Sequence, residues 1–328
     1  MNSSDIKTNK VTSDKTKNKK TDRFRLSIKS APYVFISPFF ILFLIFGVFP
    51  ILYSFFLSFH SWDGIGQMEF VGLSNYAYVL NDDWFWESVK NTFIIFILTT
   101  IPQHIIALSL AFVLNSGFVK MKEFFRGSYF LPYITSAVAI ALVFDVILGH
   151  RSGLLNAILI QLETLPPFAF LFDSVGLDLP VRWLAEARWI RFSIAGLVTW
   201  RFTGWNMLIY FAGLQNIPNS LYEAAEIDGA NKRQVFTNVT LPLLRPMIFF
   251  GVTMSIIGNL QLFEEPFILV GGDGGAGRAG MTTAMYLFRT GFHWRQFGEG
   301  SAMAYILAIF IVILSLASRK IFHKENDL

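Results

Sequence analysis

Apolar residues run at membrane length six times along the chain, at about residues 33–59, 89–114, 124–148, 190–214, 247–270 and 302–317. Each run approaches the ~20 residues that a helical span requires, the first being long and the last short. The pattern predicts an all-α, polytopic membrane protein with six transmembrane helices spanning residues 31–322, because in lipid only a helix or a closed barrel satisfies its own backbone. Pro38, Pro50 and Pro102 fall inside the first two runs and predict kinks rather than ends.

Between the fourth and fifth runs lies a polar island, Glu223 to Pro242. It predicts two short helices joined by a glycine. Ser220 and Glu223 have the spacing of a capping box, Leu221, Ala224 and Ala225 form a narrow small-residue face, Gly229 suits the left-handed end of a helix, and Pro242 is expected to close the second helix. An alanine-lined helical hairpin permits close approach by another protein, so the island reads as a docking surface.

The chain is 53% hydrophobic with 36 Phe, well above a soluble domain, so the runs are read as membrane spans. Residues 1–30 carry Lys and Arg in excess of Asp and predict a disordered basic tail, with residues 323–328 a second tail. The first run is too long for a signal peptide and lacks an A-x-A site, so it is expected to be retained. Eighteen Lys and Arg fall on the side of the two tails and the island, and eight on the other, with Arg201 inside a run. The positive-inside rule therefore predicts cytoplasmic termini and a cytoplasmic island. The net charge of +4 is read as topology, with no nucleic-acid partner implied.

Cysteine is absent, no H-E-x-x-H occurs, and neither a G-x-S-x-G elbow nor a G-x-x-x-x-G-K-[ST] loop is present. No catalytic residue and no metal site is predicted. The run Gly271 to Gly277 is expected to be a flexible outer loop, since it lacks the lysine of a phosphate loop.

Polar residues inside the spans are costly and mark a partner, a cavity or a path. The fourth run carries Trp200, Arg201, Thr203, Trp205 and Asn206; the fifth carries Gly258, Asn259, Gln261, Glu264 and Glu265, with Gln261 and Glu265 expected one turn apart. On a helix Arg201 and Trp205 share one face, and Trp200 and Thr203 an adjacent one. Arg201 lies about eleven residues, or ~16 Å, along its span, the depth reached by Asn259 and Gln261. Rings, amides and charges at one depth suit a sugar, whose C–H faces stack on aromatic rings and whose hydroxyls need hydrogen bonds. An Arg–Glu pair that only holds the bundle together is the competing expectation.

Glu223-Ala224-Ala225, Gly229 and Val239-Thr240-Leu241-Pro242 together resemble the EAA loop of ATP-binding-cassette importer permeases, with Val239 where that family more often has Ile. Phe49-Pro50-Ile51, Val71 to Tyr76, Asn91-Thr92, Gly153 to Asn156 and Phe263 are similar to the carbohydrate-importing branch, the maltose, lactose and glycerol-phosphate permease group, and the likeness covers residues 32–322. The resemblance implies a non-catalytic subunit in a bacterial cell membrane, paired with a second permease. It also implies two cytoplasmic ATPase subunits, which bind the ATP and Mg while this chain binds no cofactor, and an extracellular solute-binding protein. Glu223, Ala224, Ala225, Asp228, Gly229, Leu241 and Pro242 would then form the coupling site for an ATPase subunit.

Two features depart from that pattern. The outer connection, residues 149–189, is long and reads as an extra contact for the binding protein or as a packed surface loop, the second being favoured; Glu264-Glu265 places a second carboxylate where the family commonly has one. An ion-coupled secondary carrier, using Arg201, Glu264 and Glu265 as a charge relay, is the alternative, though no internal repeat is seen.

Overall fold

The structure is a computed structural model that describes residues 31–116 and 119–323. The predicted tail at 1–30 lies outside the described residues, and of the predicted C-terminal tail only His323 is described, as the last residue of a helix. The chain divides into two units, Met1–Tyr53 and Ser54–Leu328. The boundary falls inside the first helix, α1 (Ala31–Leu57), which carries a π turn at Leu44–Val48.

The second unit continues with a two-stranded antiparallel ladder, β1 (His60–Ser61) against β2 (Glu69–Phe70), and α2 (Ser74–Leu80). Asn75 of α2 is buried and donates through Nδ2 to the Ser58 and His60 carbonyls at 2.9 Å, which ties the ladder to the helix. The long helix α3 (Asp83–Asn115) is capped by Asp82, whose carboxylate accepts from the Trp84 N–H at 2.9 Å. Next come α4 (Lys122–Ile134) and α5 (Ala137–Ile147), then α6 (Leu154–Glu163) and α7 (Pro166–Val175). They are followed by α8 (Ala187–Gln215), α9 (Asn219–Ile227) and α10 (Lys232–Leu260). The chain ends with α11 (Glu264–Val270), α12 (Thr283–Phe288) and α13 (Phe297–His323).

Among the described residues four helices are long and apolar enough to cross a membrane, namely α1, α3, α10 and α13. Two bent pairs raise the number to six if each is one span: α4 with α5, bent by 97°, and α6 with α7, bent by 113°. The third apolar run is therefore not one straight helix. It breaks at Thr135, which is extended, and Ser136, at φ −53° and ψ 132°; the Leu131 carbonyl there accepts from both the Thr135 N–H at 3.2 Å and Thr135 Oγ1 at 2.8 Å. The fourth run, by contrast, is the 29-residue α8, which is absent from the apolar set because polar side chains interrupt its middle. That polarity is tolerated because α8 packs against α3, α4 and α10. The connection at residues 149–189 is not the loop expected from sequence: it holds α6 and α7, rooted by Asn156, which donates to the His150 and Val181 carbonyls at 2.9 and 2.8 Å and accepts from the Val181 N–H at 3.0 Å.

Two apolar clusters fill α3 and α8. One holds Ile95, Ile190, Ile194, Leu197 and Val198; the other holds Ala107, Ala111, Met207, Tyr210, Phe211 and Leu214. Between them α3 buries Thr99, Thr100 and Gln103, and α8 buries Thr203 and Asn206. A polar layer thus crosses the bundle midway along both helices. On the α4 side α8 is drawn in at Gly204, where a Cβ would lie 1.8 Å from the Tyr129 carbonyl oxygen, so only a residue with no side chain permits this approach.

Candidate functional site

The cavity at the polar layer

A cavity of about 680 Å³ opens against the polar layer, walled by α3, α4, α8, α10 and the start of α11. Eight of the residues singled out by sequence line it: Arg201, Trp205, Asn206, Gly258, Asn259, Gln261, Glu264 and Glu265. Trp200 and Thr203 do not. They lie on the neighbouring face of α8 and line a separate, more apolar cavity of about 630 Å³ with Pro102, Tyr129 and Pro132. Trp200 packs its ring 5.6 Å from Phe144, and Thr203 Oγ1 donates to the Thr199 carbonyl at 2.6 Å.

Arg201 donates through Nη1 to Glu265 Oε1, and both side chains are largely buried. The guanidinium also stands over the Phe202 ring, 5.3 Å from its centroid. Glu264, one residue away, is exposed to the cavity and has no ion pair among the described residues. Trp205 stacks on Tyr133 with centroids 4.7 Å apart and planes at 21°, which makes a flat aromatic wall. Asn259 donates through Nδ2 to Thr100 Oγ1 at 2.9 Å. Gln103 and Asn206 are 2% and 1% exposed, yet their carbonyl oxygens have no hydrogen-bond partner, an expensive arrangement in an interior.

Gln103, Tyr133, Met254 and Ser255 were missed by sequence reasoning. Gln103 carried a signal, as a lone amide beside Pro102 in an apolar run. Tyr133 carried none, because its role depends on where α4 meets α8.

Gln261 and Glu265 are not one turn apart on a continuous helix. α10 ends at Leu260, Phe263 leaves the helical region at φ −132° and ψ −56°, and α11 begins at Glu264. Pro266 gives the reason, since in an unbroken helix its ring would collide with the Leu262 carbonyl and leave that oxygen without a donor. The break frees it, and Thr282 Oγ1 donates to it at 2.7 Å while accepting from the Met285 N–H at 3.2 Å.

Beyond α11 the glycine-rich segment, expected to be flexible, is a set of hydrogen-bonded turns with positive φ at Gly271, Gly274, Gly275 and Gly277. The Gly280 N–H reaches the Gly274 carbonyl at 2.8 Å, and Asn91 Nδ2 donates to the Arg278 carbonyl at 2.8 Å. Asn91 also accepts from Arg191 Nε at 3.0 Å, so one amide joins α3, α8 and this segment.

The hairpin at Glu223

The island forms α9, a glycine turn and the first turns of α10. Gly229 has φ +76°, as a left-handed helix end requires, with the Ala230 N–H donating to the Ala225 carbonyl at 2.9 Å. Two details differ from the sequence reading. Ser220 lies inside α9 and its side chain caps nothing, because the N-cap position is Pro218; the capping box is instead Asn231 with Gln234, bonded both ways at 3.0 and 2.8 Å. Pro242 does not close the second helix. A π turn over Phe236–Thr240 routes the Leu241 N–H to the Phe236 carbonyl, which widens the backbone where the proline ring would clash, and α10 continues through Pro242 and Pro246 to Leu260.

Glu223, Ala224, Asp228 and Gly229 are exposed, Ala225, Leu241 and Pro242 half-buried. Ile227, which sequence reasoning passed over, is 86% exposed on the same short helix. The two arms meet where Thr240 Oγ1 approaches the Tyr222 hydroxyl at 3.4 Å.

Relatives

Residues 91–324 match the family described as the binding-protein-dependent transport system inner membrane component. The arabinooligosaccharides transport system permease protein AraP of Bacillus subtilis is 37% identical, over 90% of this chain and 89% of the relative. The lactose transport system permease protein LacF of Rhizobium radiobacter is 32% identical, over 86% of this chain and 91% of the relative. Among solved structures, a chain of a bacterial ABC transporter involved in import of the acidic polysaccharide alginate superposes with a TM-score of 0.72 at 21% identity, covering 90% of this chain and 96% of that one. The family match spans the polar layer, the hairpin and the long helix between them, and the chain is a member of the binding-protein-dependent transport system inner membrane components, a multi-pass membrane permease.

Proposed function

We propose that the chain is one permease subunit of an ATP-driven importer and forms part of the translocation path for a sugar or oligosaccharide. The observation that carries the reading is the pairing of a polar, ring-walled cavity with an exposed hairpin on the same helix, α10. Transport relatives named for arabinooligosaccharides and lactose support the substrate class. In this reading α1, α3, the α4–α5 pair, α8, α10 and α13 are the six spans, and both termini and the hairpin face the cytoplasm. Glu223, Ala224, Ala225, Asp228 and Gly229 dock in an ATPase subunit, with Leu241 and Pro242 setting the angle of the second arm. ATP and Mg bind there and not on this chain. A second permease completes the path, and an extracellular solute-binding protein delivers the sugar. Trp200 and Thr203 leave the proposed path for the neighbouring face. An ion-coupled relay through Arg201, Glu264 and Glu265 fits less well, since Arg201 pairs with Glu265 and Glu264 stands apart.

The test is uptake by the assembled complex in cells. Gly229→Pro and Glu223→Lys are expected to leave the protein inserted at wild-type level while uptake of the sugar is lost, because φ +76° excludes proline and the reversed charge opposes docking. Normal uptake in both variants would end the docking reading.

A further inference from the structure

The cavity at the polar layer is not electrically neutral. Its lining holds one cation, Arg201, and two carboxylates, Glu264 and Glu265. Arg201 is committed to Glu265 by a direct, largely buried hydrogen bond, so the pair presents little net charge to a ligand. Glu264 is left over: it is exposed, lines the cavity and has no ion pair among the described residues. The elements packed against α11 are α5 and α8. α5 contains Asp145, also exposed, with no Lys or Arg, and the three arginines of α8 are engaged elsewhere: Arg201 with Glu265, Arg191 with Asn91 and Arg188 with the Val175 carbonyl.

In the remaining polar lining the exposed Gln261 amide can both donate and accept, while Gln103 and Asn206 hold buried carbonyl oxygens without a partner. The Trp205–Tyr133 stack offers a negative ring face, favourable to C–H groups and to cations.

Resting on the reading of this cavity as a sugar path, we propose that Glu264 makes it selective by charge: neutral or amino sugars are accepted, and sugars carrying a carboxylate are rejected. A uronate placed against Glu264 meets an uncompensated like charge in a partly enclosed site, where such contacts cost at least a factor of about ten in affinity. Neutral sugars lose nothing there, and an ammonium group gains.

The test uses the full transporter complex in nanodiscs without its binding protein, so that delivery does not filter the ligands. Binding is titrated with arabinotriose, with trigalacturonate and with chitosan trisaccharide. In the wild type trigalacturonate is expected to bind about tenfold or more weakly than arabinotriose, the gap shrinking as salt is raised. Glu264→Gln, an exposed substitution that keeps the shape, is expected to bring the two within about threefold. Equal binding of trigalacturonate and arabinotriose by the wild type, or a gap that Glu264→Gln leaves unaltered, overturns the charge selection while the sugar path stands. Failure of every sugar to bind overturns the sugar path and the selection with it.

Discussion

At the scale of single residues, the chain repeatedly solves one problem, which is where a displaced carbonyl finds a donor. Pro266 forbids the helix that would have covered Leu262, and Thr282 supplies the missing hydrogen bond from another segment while also capping α12. Thr282→Val keeps the shape and removes the donor. It is expected to cost about 1–3 kcal/mol, read as a lowered unfolding temperature of the purified protein, because the Leu262 oxygen is then buried alone. An unchanged unfolding temperature would show that the break stands without Thr282. Outside the spans, Tyr286 donates to Asp82, and burial together with that carboxylate raises its phenol further above the ordinary range, so it stays a donor at any physiological pH.

At the scale of elements, what matters is how closely helices approach and whether they continue. Gly204 sets the distance between α8 and α4, and through it the position of Tyr133 on Trp205. Gly204→Ala places a methyl group against backbone that cannot rotate away. The helices must separate, with an expected loss of about 1–3 kcal/mol and, on the proposed sugar path, lower affinity for sugar through the displaced ring wall. Wild-type unfolding temperature and sugar binding in this variant would contradict the close approach. The bend between α4 and α5 and the π turn before Pro242 belong to the same scale, since each is a local change of register that keeps a proline or an extended pair inside an otherwise helical path.

At the scale of the molecule, the polar layer divides two apolar clusters, and the Arg201–Glu265 pair is its charged part. Removing one partner leaves a charge alone in the interior. Arg201→Ala or Glu265→Ala is therefore expected to destabilise by about 3–5 kcal/mol, whereas the double change Arg201→Met with Glu265→Leu recovers most of that loss. If each single change proves harmless to the unfolding temperature, the pair is not structural. The same comparison, scored for uptake, separates a pair that only holds the bundle from one that serves the path.

Much of this architecture was legible from the chain alone, and what escaped has common causes. The apolar runs located the long helices because lipid demands length, and Gly229 was legible because few residues other than glycine take φ +76°. Arg201 and Trp205 were placed on one face by helical geometry. Trp200 and Thr203 escaped because the face that meets a cavity depends on which helix lies opposite. Gln261 and Glu265 were given one continuous helix because Pro266 was not weighed against the carbonyl four residues before it. The hairpin's second arm was cut short at Pro242 because a π turn leaves no mark in composition.

That last difference joins two places that the sequence kept apart. From Lys232 to Leu260 the backbone is one helical shaft of 29 residues, about 43 Å long, with the hairpin at its foot and Asn259 at the cavity wall near its head. A shaft of that kind passes on rotation as well as displacement: a twist applied at the foot reaches Ser255, Gly258 and Asn259 with its angle preserved, then stops at Gln261, where the helix ends. In the proposed importer, the wall of the cavity would turn like a key while α11 and its two carboxylates stayed still, so the distance between the Asn259 amide and those acids would become the quantity set from the hairpin.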